Sequence, residues 1–117
     1  MFKNGCMLTG IAVGLQAFGH HLLKRYLMET QLSLFSTATT YLLWGGLWLM
    51  VLGLAEAHYE IPTGPLRLLL IGLTLFCGSL YLYACLSYRV LIFITPLGGA
   101  SIILSFLWLG TGLKKRF

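Results

Sequence analysis

Four long runs without an acidic side chain, lysine or arginine limit what this chain can fold into. They cover residues 4–23, 30–55, 68–88 and 90–113, and each holds twenty or more residues. A helix needs about 20 apolar residues to cross about 30 Å of hydrocarbon. In lipid only helices and closed barrels satisfy the backbone, and barrel strands would alternate over about 10 residues instead of forming unbroken apolar runs. The runs therefore predict four membrane-spanning helices.

The composition leaves little sequence outside these helices. Of 117 residues, 58% are hydrophobic and 9% are charged, so no soluble domain is expected beside the spans. We predict an all-α fold with one domain, an integral membrane four-helix bundle of antiparallel up-down topology. Its spans are expected at about residues 5–23, 34–55, 67–88 and 90–113.

Basic residues lie at the ends of the runs, which explains the net charge of +5 and predicts an orientation. No basic patch interleaved with aromatic residues is present, so we expect the lipid bilayer as a partner and no nucleic acid. Cytoplasmic connections carry an excess of lysine and arginine, which favours both termini in the cytoplasm. The basic residues on that side are Lys3, Arg67, Lys114, Lys115 and Arg116, against Lys24, Arg25 and Arg89 on the other.

Small residues form a stripe on the first helix that ends in a histidine. At 100° per residue, Gly10, Gly14, Ala17 and His21 fall within an arc of about 60°. Small residues let helices approach closely in lipid, so the stripe is typical of a helix–helix interface. His21 has two interpretations, a proton-carrying or ligand-contacting imidazole, or an interface histidine bonded to a backbone carbonyl or water.

Hydroxyl and aromatic side chains mark the second and third helices. Thr37 and Tyr41 lie on one side of the second helix. Hydroxyl groups there either bond across helices or line a polar conduit. On the third helix, Tyr81 with Tyr88 nearer its end predicts an aromatic belt at the lipid headgroups.

The fourth helix carries a proline in its interior. Pro96 follows Thr95 and precedes the glycines Gly98 and Gly99. Proline lacks the N–H that would bond the carbonyl of residue 92 and collides with that carbonyl, so a kink or a broken turn is expected. The interruption either is structural, with a threonine hydroxyl or a neighbouring helix bonding the carbonyl, or exposes backbone groups to a substrate. Gly98 begins a small, polar stripe that is expected to face the bundle.

The sequence offers few residues for chemistry. The acids Glu29, Glu56 and Glu60 lie in the joints, and no catalytic triad, carboxylate pair or zinc motif is present. Cys77 and Cys85 are eight residues apart, a rise of about 12 Å, whereas disulfide Cα atoms approach within about 7 Å. We therefore expect no enzymatic activity, no metal and no cofactor. A membrane enzyme or haem protein is one alternative, with His20, His21 and His58 as the nitrogen ligands.

Three short motifs occur together in an order that is specific to one family. They are Ala17-Phe18-Gly19-His20-His21, Gly78-Ser79-Leu80-Tyr81 and Thr95-Pro96-Leu97-Gly98-Gly99. Over nearly its full length the chain resembles the domain-of-unknown-function family 423, small four-helix proteins of the bacterial inner membrane. The resemblance implies a multi-pass protein of the bacterial inner (cytoplasmic) membrane, with no established activity.

Two histidines stand out in the family pattern, and this chain keeps one of them. The family's first motif usually reads A-F-G-A-H, so its histidine corresponds to His21, and His20 replaces an alanine. Gly45 stands where the second helix of the family usually carries a histidine. A mechanism that needs both, such as bis-imidazole haem ligation or a proton relay, is therefore not expected.

Two non-enzymatic functions remain open. The leading hypothesis is a non-enzymatic membrane protein whose small-residue faces pack its own bundle and a partner, as an accessory subunit of a larger membrane complex or with itself. The alternative is a carrier or channel for a small neutral solute. The candidate polar residues are His21, Thr37, Tyr41, Ser79, Tyr81, Thr95 and Pro96, and the candidate packing residues are Gly10, Gly14, Ala17, Gly78, Gly98 and Gly99.

Overall fold

The computed structural model describes the backbone of residues 1–26, 28–86 and 90–115, and no side chain is described at positions 20, 85 and 90–92. Nearly all of the described chain is helical, which confirms the predicted all-α class. In chain order the elements are α1 (Phe2–Gly14), a π-helical turn (Leu15–Gly19), α2 (His20–Leu23), α3 (Glu29–Ala55), β1 (Tyr59–Glu60), α4 (Thr63–Leu86), α5 (Val90–Gly112) and β2 (Lys114–Lys115).

Four of the described helices are long and apolar enough to cross a membrane, as predicted. The first span runs without a break through α1, the π-helical turn and α2, and α3, α4 and α5 are the second, third and fourth spans. The second span, α3, begins at Glu29, several residues before the predicted start near residue 34. The hydroxyl groups at its beginning are satisfied within the helix, since threonine side chains bond the helix's own carbonyls. Thr37 donates to the Ser33 carbonyl oxygen at 3.0 Å, and Thr40 donates to that of Ser36 at 2.9 Å.

Successive spans pack against each other in antiparallel fashion. From the first to the second span the contacts run from Phe2 at Gly53 to Gly19 at Phe35. Between the third and fourth spans they run from Gly64 at Trp108 to Ser79 at Thr95. Paired residue numbers rise on one helix as they fall on the other, which confirms the up-down topology. The principal dimensions are 54 × 28 × 14 Å, so the helices form a flat, staggered arrangement.

The described hydrophobic core lies between the second, third and fourth spans. Across it, the rings of Trp48 and Phe106 meet edge to face with centroids 4.8 Å apart. The first span packs mainly against the second span, and Gly5 and Ala12 are buried there. The core residues are Leu52, Leu69, Leu73, Cys77, Ile102 and Leu109.

The fourth helix is continuous through its proline. Pro96 lies inside α5, which runs without interruption from Val90 to Gly112, so the broken turn that the sequence allowed does not occur. Arg89, which separates the third and fourth predicted spans, lies outside the described residues, as do Tyr88 of the predicted belt and Arg116 of the basic terminus.

A two-stranded clasp lies at one end of the molecule. Tyr59 pairs with Lys115 and Glu60 with Lys114 in antiparallel register, which ties the connection between the second and third spans to the end of the fourth. The sequence analysis did not predict these strands, because two residues are too few to show an alternating pattern. The clasp holds the ends of three spans together at one membrane surface.

Candidate functional site

Hydroxyl groups link the second span to the third inside the core. Thr39 is completely buried and donates a hydrogen bond to the Phe35 carbonyl oxygen at 2.9 Å. The Tyr81 hydroxyl lies 2.6 Å from the Thr39 hydroxyl and can donate to it. The Cys77 thiol donates to the Ala38 carbonyl oxygen at 3.4 Å, one turn away. Tyr81 is therefore an internal link between the second and third spans.

A second hydroxyl pair links the third span to the fourth beside the proline. The hydroxyls of Ser79 and Thr95 lie 2.6 Å apart, and Ser79 also bonds the Phe76 carbonyl oxygen at 3.0 Å. Ser79 is buried, with 4% of its surface exposed. Pro96 itself is exposed and borders a cavity of about 270 Å³, together with Leu34, Leu80, Tyr83 and Thr95. The cavity walls are apolar apart from their hydroxyls.

Tyr41 lies in a row of aromatic rings. Its ring packs on Phe76 of the third span with centroids 4.5 Å apart, and on Trp44 with centroids 5.0 Å apart. Thr37 is exposed and borders a polar cavity at the beginning of the second span. The two residues keep the spacing of one helix face, but Thr37 is exposed whereas Tyr41 packs against the third span.

The predicted packing glycines of the third and fourth spans differ in their surroundings. A Cβ on Gly98 would lie 2.5 Å from the Phe76 backbone nitrogen, so two helix backbones meet here at the closest approach that glycine allows. A Cβ on Gly99 would lie 3.6 Å from the Phe76 ring, an ordinary contact. Around Gly78 no atom lies within 4 Å of the Cβ position, so within the described chain it packs against nothing.

The stripe on the first span faces away from the rest of the described chain. No atom lies within 4 Å of a Cβ built on Gly10 or Gly14, and Ala17 is exposed. The opposite face packs on the second span, where a Cβ on Gly5 would lie 2.7 Å from the Gly46 carbonyl oxygen. The prediction that this stripe packs the chain's own bundle is therefore wrong, because another face of the helix does so.

The first-helix motif coincides with a change of helix type. Leu15–Gly19 forms a π-helical turn, and His21 follows it in the exposed last turn of the span. Such turns are rare and occur often at functional sites. Gln16, within the turn, is exposed in the apolar part of the span. The side chain of His20 lies outside the described residues.

Sequence reasoning missed the residues that join the first span to the second, and it did not single out Thr39. Gly46 and Gly53 are seven residues apart and so lie on one face of the second helix, a spacing that was available as a signal. Thr39 is one of several threonines in its segment, and nothing in the spacing distinguishes it. Its role depends on Tyr81, which is 42 positions away.

The polar side chains in the described core are paired with one another or with backbone groups. Among the described side chains, every buried nitrogen or oxygen atom has a hydrogen-bond partner. Within the same part of the chain, no three His, Cys, Asp or Glu side chains come together as a metal site would require. The buried hydroxyls bond each other and nearby carbonyls, so they join helices and leave no free donor aimed into a cavity.

Comparison with known proteins places the chain in a family. The model of the family described as Protein of unknown function (DUF423) matches residues 15–99, beginning at the first residue of the π-helical turn. No solved structure matches.

Curated relatives cover nearly the whole chain. A UPF0382 membrane protein of Staphylococcus saprophyticus is 37% identical over 95% of this chain and 93% of its own length. One from Bacillus subtilis is 34% identical over 95% and 93%, and one from the fission yeast Schizosaccharomyces pombe is 36% identical over 82% and 86%. Similar proteins therefore occur outside bacteria as well. With four apolar spans and a family match over most of its length, the chain is a membrane protein of the DUF423 family.

Proposed function

We propose that this protein is a non-enzymatic accessory subunit of a larger membrane complex, and that it binds a transmembrane helix of another protein through the first span. The observation that carries the proposal is the outward stripe of Gly10, Gly14 and Ala17, which nothing in the described chain covers. We further propose a bacterial inner membrane as its location, on the family resemblance, with both termini in the cytoplasm, on the charge distribution of the sequence.

The first span is the least buried of the four. In its most apolar stretch 6% of residues are buried, against 33% in the second and third spans and 22% in the fourth. Lipid tails are as apolar as leucine, so an exposed apolar face alone does not drive association. A face of small residues differs, because it lets a second backbone approach closely enough for dispersion contacts that lipid chains do not make as well.

The exposed amide of Gln16 is a second feature of the first span that favours binding of a partner helix. Its amide is exposed within the apolar segment, where hydrocarbon offers no hydrogen-bond partner. Amide side chains in membrane helices bond across to neighbouring helices, typically for about 0.6–2 kcal/mol. A partner helix beside the first span would supply both the close packing surface and acceptors or donors for this amide.

The carrier hypothesis has less support. Its predicted polar path ran through His21, the face from Thr37 to Tyr41, and the segment around Thr95. Tyr41 packs among aromatic rings and Thr95 bonds Ser79, while His21 lies exposed at the end of the first span. These groups do not line one continuous cavity in the described structure.

Site-specific photo-crosslinking in native membranes tests the accessory role. In one variant a photoreactive residue replaces Val13, which is exposed on the flank of the stripe. In a second variant of the same chain it replaces Leu107, which is exposed on the fourth span. We expect a discrete adduct with another membrane protein from position 13 and none from position 107. The double substitution Gly10→Ile with Gly14→Ile should abolish the adduct, because branched side chains block close approach.

The matched control is Gly110→Ile. This glycine also has nothing within 4 Å of its Cβ position but lies on the fourth span. All three substitutions raise helix propensity, so loss of the adduct cannot be assigned to a weakened helix. An adduct that survives the double substitution, or whose mass is that of two copies of this chain, would contradict the proposed role.

A further inference from the structure

A polar cavity lies at the connection between the first and second spans. It has a volume of about 620 Å³ and is open to the outside. Since Lys24 follows the last turn of the first span and Glu29 begins the second helix, the cavity lies at the membrane surface. Its lining residues are Lys24, Glu29, Thr30, Leu32, Ser33, Ser36 and Thr37.

Hydroxyl groups give this cavity a hydrogen-bonding wall. Thr30, Ser33 and Thr37 follow one another at steps of three and four residues, so their side chains lie on one face of the helix, and all three are exposed. The Thr37 hydroxyl donates its hydrogen to the Ser33 carbonyl oxygen but keeps lone pairs to accept with. A row of hydroxyls beside lipid chains is unfavourable unless polar groups contact it.

Opposite charges border the same cavity. The Lys24 ammonium can bind a phosphate, and the positive end of the helix dipole at the start of the second span adds positive potential nearby. The Glu29 carboxylate can bind an ammonium group. A ligand that matches this pairing carries one negative and one positive group a few atoms apart.

We propose that this cavity binds the phosphoethanolamine headgroup of a phosphatidylethanolamine lipid. Its phosphate contacts Lys24 and the hydroxyls, and its primary ammonium contacts Glu29. The acyl chains run alongside the apolar face of the second span, which extends from the cavity mouth into the membrane. This site is separate from the outward face of the first span and does not depend on the accessory role.

Two related headgroups fit less well. A choline headgroup has no N–H to donate to the Glu29 carboxylate. Quaternary ammonium groups are bound by aromatic cages, and no aromatic side chain is among the described residues of this lining. A glycerol headgroup leaves the lipid with a net negative charge and offers no cation to Glu29. The structure thus favours a primary amine beside the phosphate.

Lipid binding to the purified full-length protein tests this assignment. Native mass spectrometry measures the bound fraction of phosphatidylethanolamine, phosphatidylcholine and phosphatidylglycerol at equal concentrations. Lys24→Gln should weaken phosphatidylethanolamine binding by up to about fivefold, the upper end of the range for one exposed charge pair. Glu29→Gln should remove the preference over phosphatidylglycerol, an effect that a merely structural role for Glu29 would not produce.

Arg25→Gln is the matched control, because it removes a neighbouring positive charge that does not line the cavity. If a charge variant fails to fold, Ser33→Ala keeps both charges and should still lower the bound fraction. Equal binding of the three lipids, or equal losses in Lys24→Gln and Arg25→Gln, would overturn the site. Binding of soluble phosphoethanolamine as tightly as the lipid would overturn the lipid as its source.

Discussion

The close approach of the third and fourth spans at Gly98 predicts a large effect from a single methyl group. In Gly98→Ala the new Cβ would lie 2.5 Å from the Phe76 backbone nitrogen and 2.9 Å from the Gly72 carbonyl oxygen. Backbone atoms cannot rotate away as a side chain can. The two helices would therefore separate locally by about 1 Å, the distance needed to restore an ordinary contact of about 3.5 Å.

The magnitude follows from two opposing effects. Overpacking costs about 1–3 kcal/mol, and we expect the upper end because a gap of about 1 Å also loses up to half of each neighbouring pair's attraction. Replacing glycine by alanine in a helix returns about 1 kcal/mol of helix propensity. The free energy of unfolding should therefore fall by about 2 kcal/mol for Gly98→Ala, the difference between these values.

Reversible unfolding in mixed micelles, with sodium dodecyl sulfate as the denaturant and circular dichroism as the signal, measures this difference. Gly99→Ala is the control, since its Cβ would lie 3.6 Å from the Phe76 ring in ordinary contact. It gains the same propensity without the clash, so the two variants should differ by about 3 kcal/mol. Equal unfolding midpoints for the two variants would refute the close packing at Gly98.

Three further predictions test separate features. Tyr81→Phe removes the bond to Thr39 and should cost about 0.6 kcal/mol of unfolding free energy, because Thr39 keeps its bond to the Phe35 carbonyl. When Thr39→Val is added to Tyr81→Phe, the bond between the two hydroxyls is already absent and should contribute no further loss. Glu60→Cys with Lys114→Cys should oxidise to a disulfide detectable by mass spectrometry, since the two residues are paired across the clasp. His21→Ala should shift the unfolding free energy by less than about 0.5 kcal/mol, as its side chain is exposed.

The sequence predicted most of the secondary structure and some of the side-chain contacts between helices. Apolar runs of membrane length are a local property, so the four spans could be counted directly. Thr95 and Ser79 were singled out by their places in short motifs, and they bond each other across two helices. The link between Thr39 and Tyr81 could not be predicted, because spacing along one helix does not show which residue of another helix it meets.

The faces of the helices were the weakest part of the prediction. The stripe of Gly10 and Gly14 has the spacing of a packing surface, yet Gly5 and Thr9 on the other side of that helix pack against Gly46. Both faces carry small residues, so spacing alone could not choose between them. The choice is made by complementarity with the second span, whose Gly53 admits the backbone of Phe2.

Sequence alone determined that this chain spans a membrane four times as helices, because unbroken apolar length and the need to bond every backbone group allow nothing else. Only the tertiary structure decided which helix faces point inward. In water, an apolar face is driven inward, so its pattern identifies the core. In lipid, leucine is as well placed outside as inside, so shape and hydroxyl pairing orient the helices, and both depend on residues far apart in the chain.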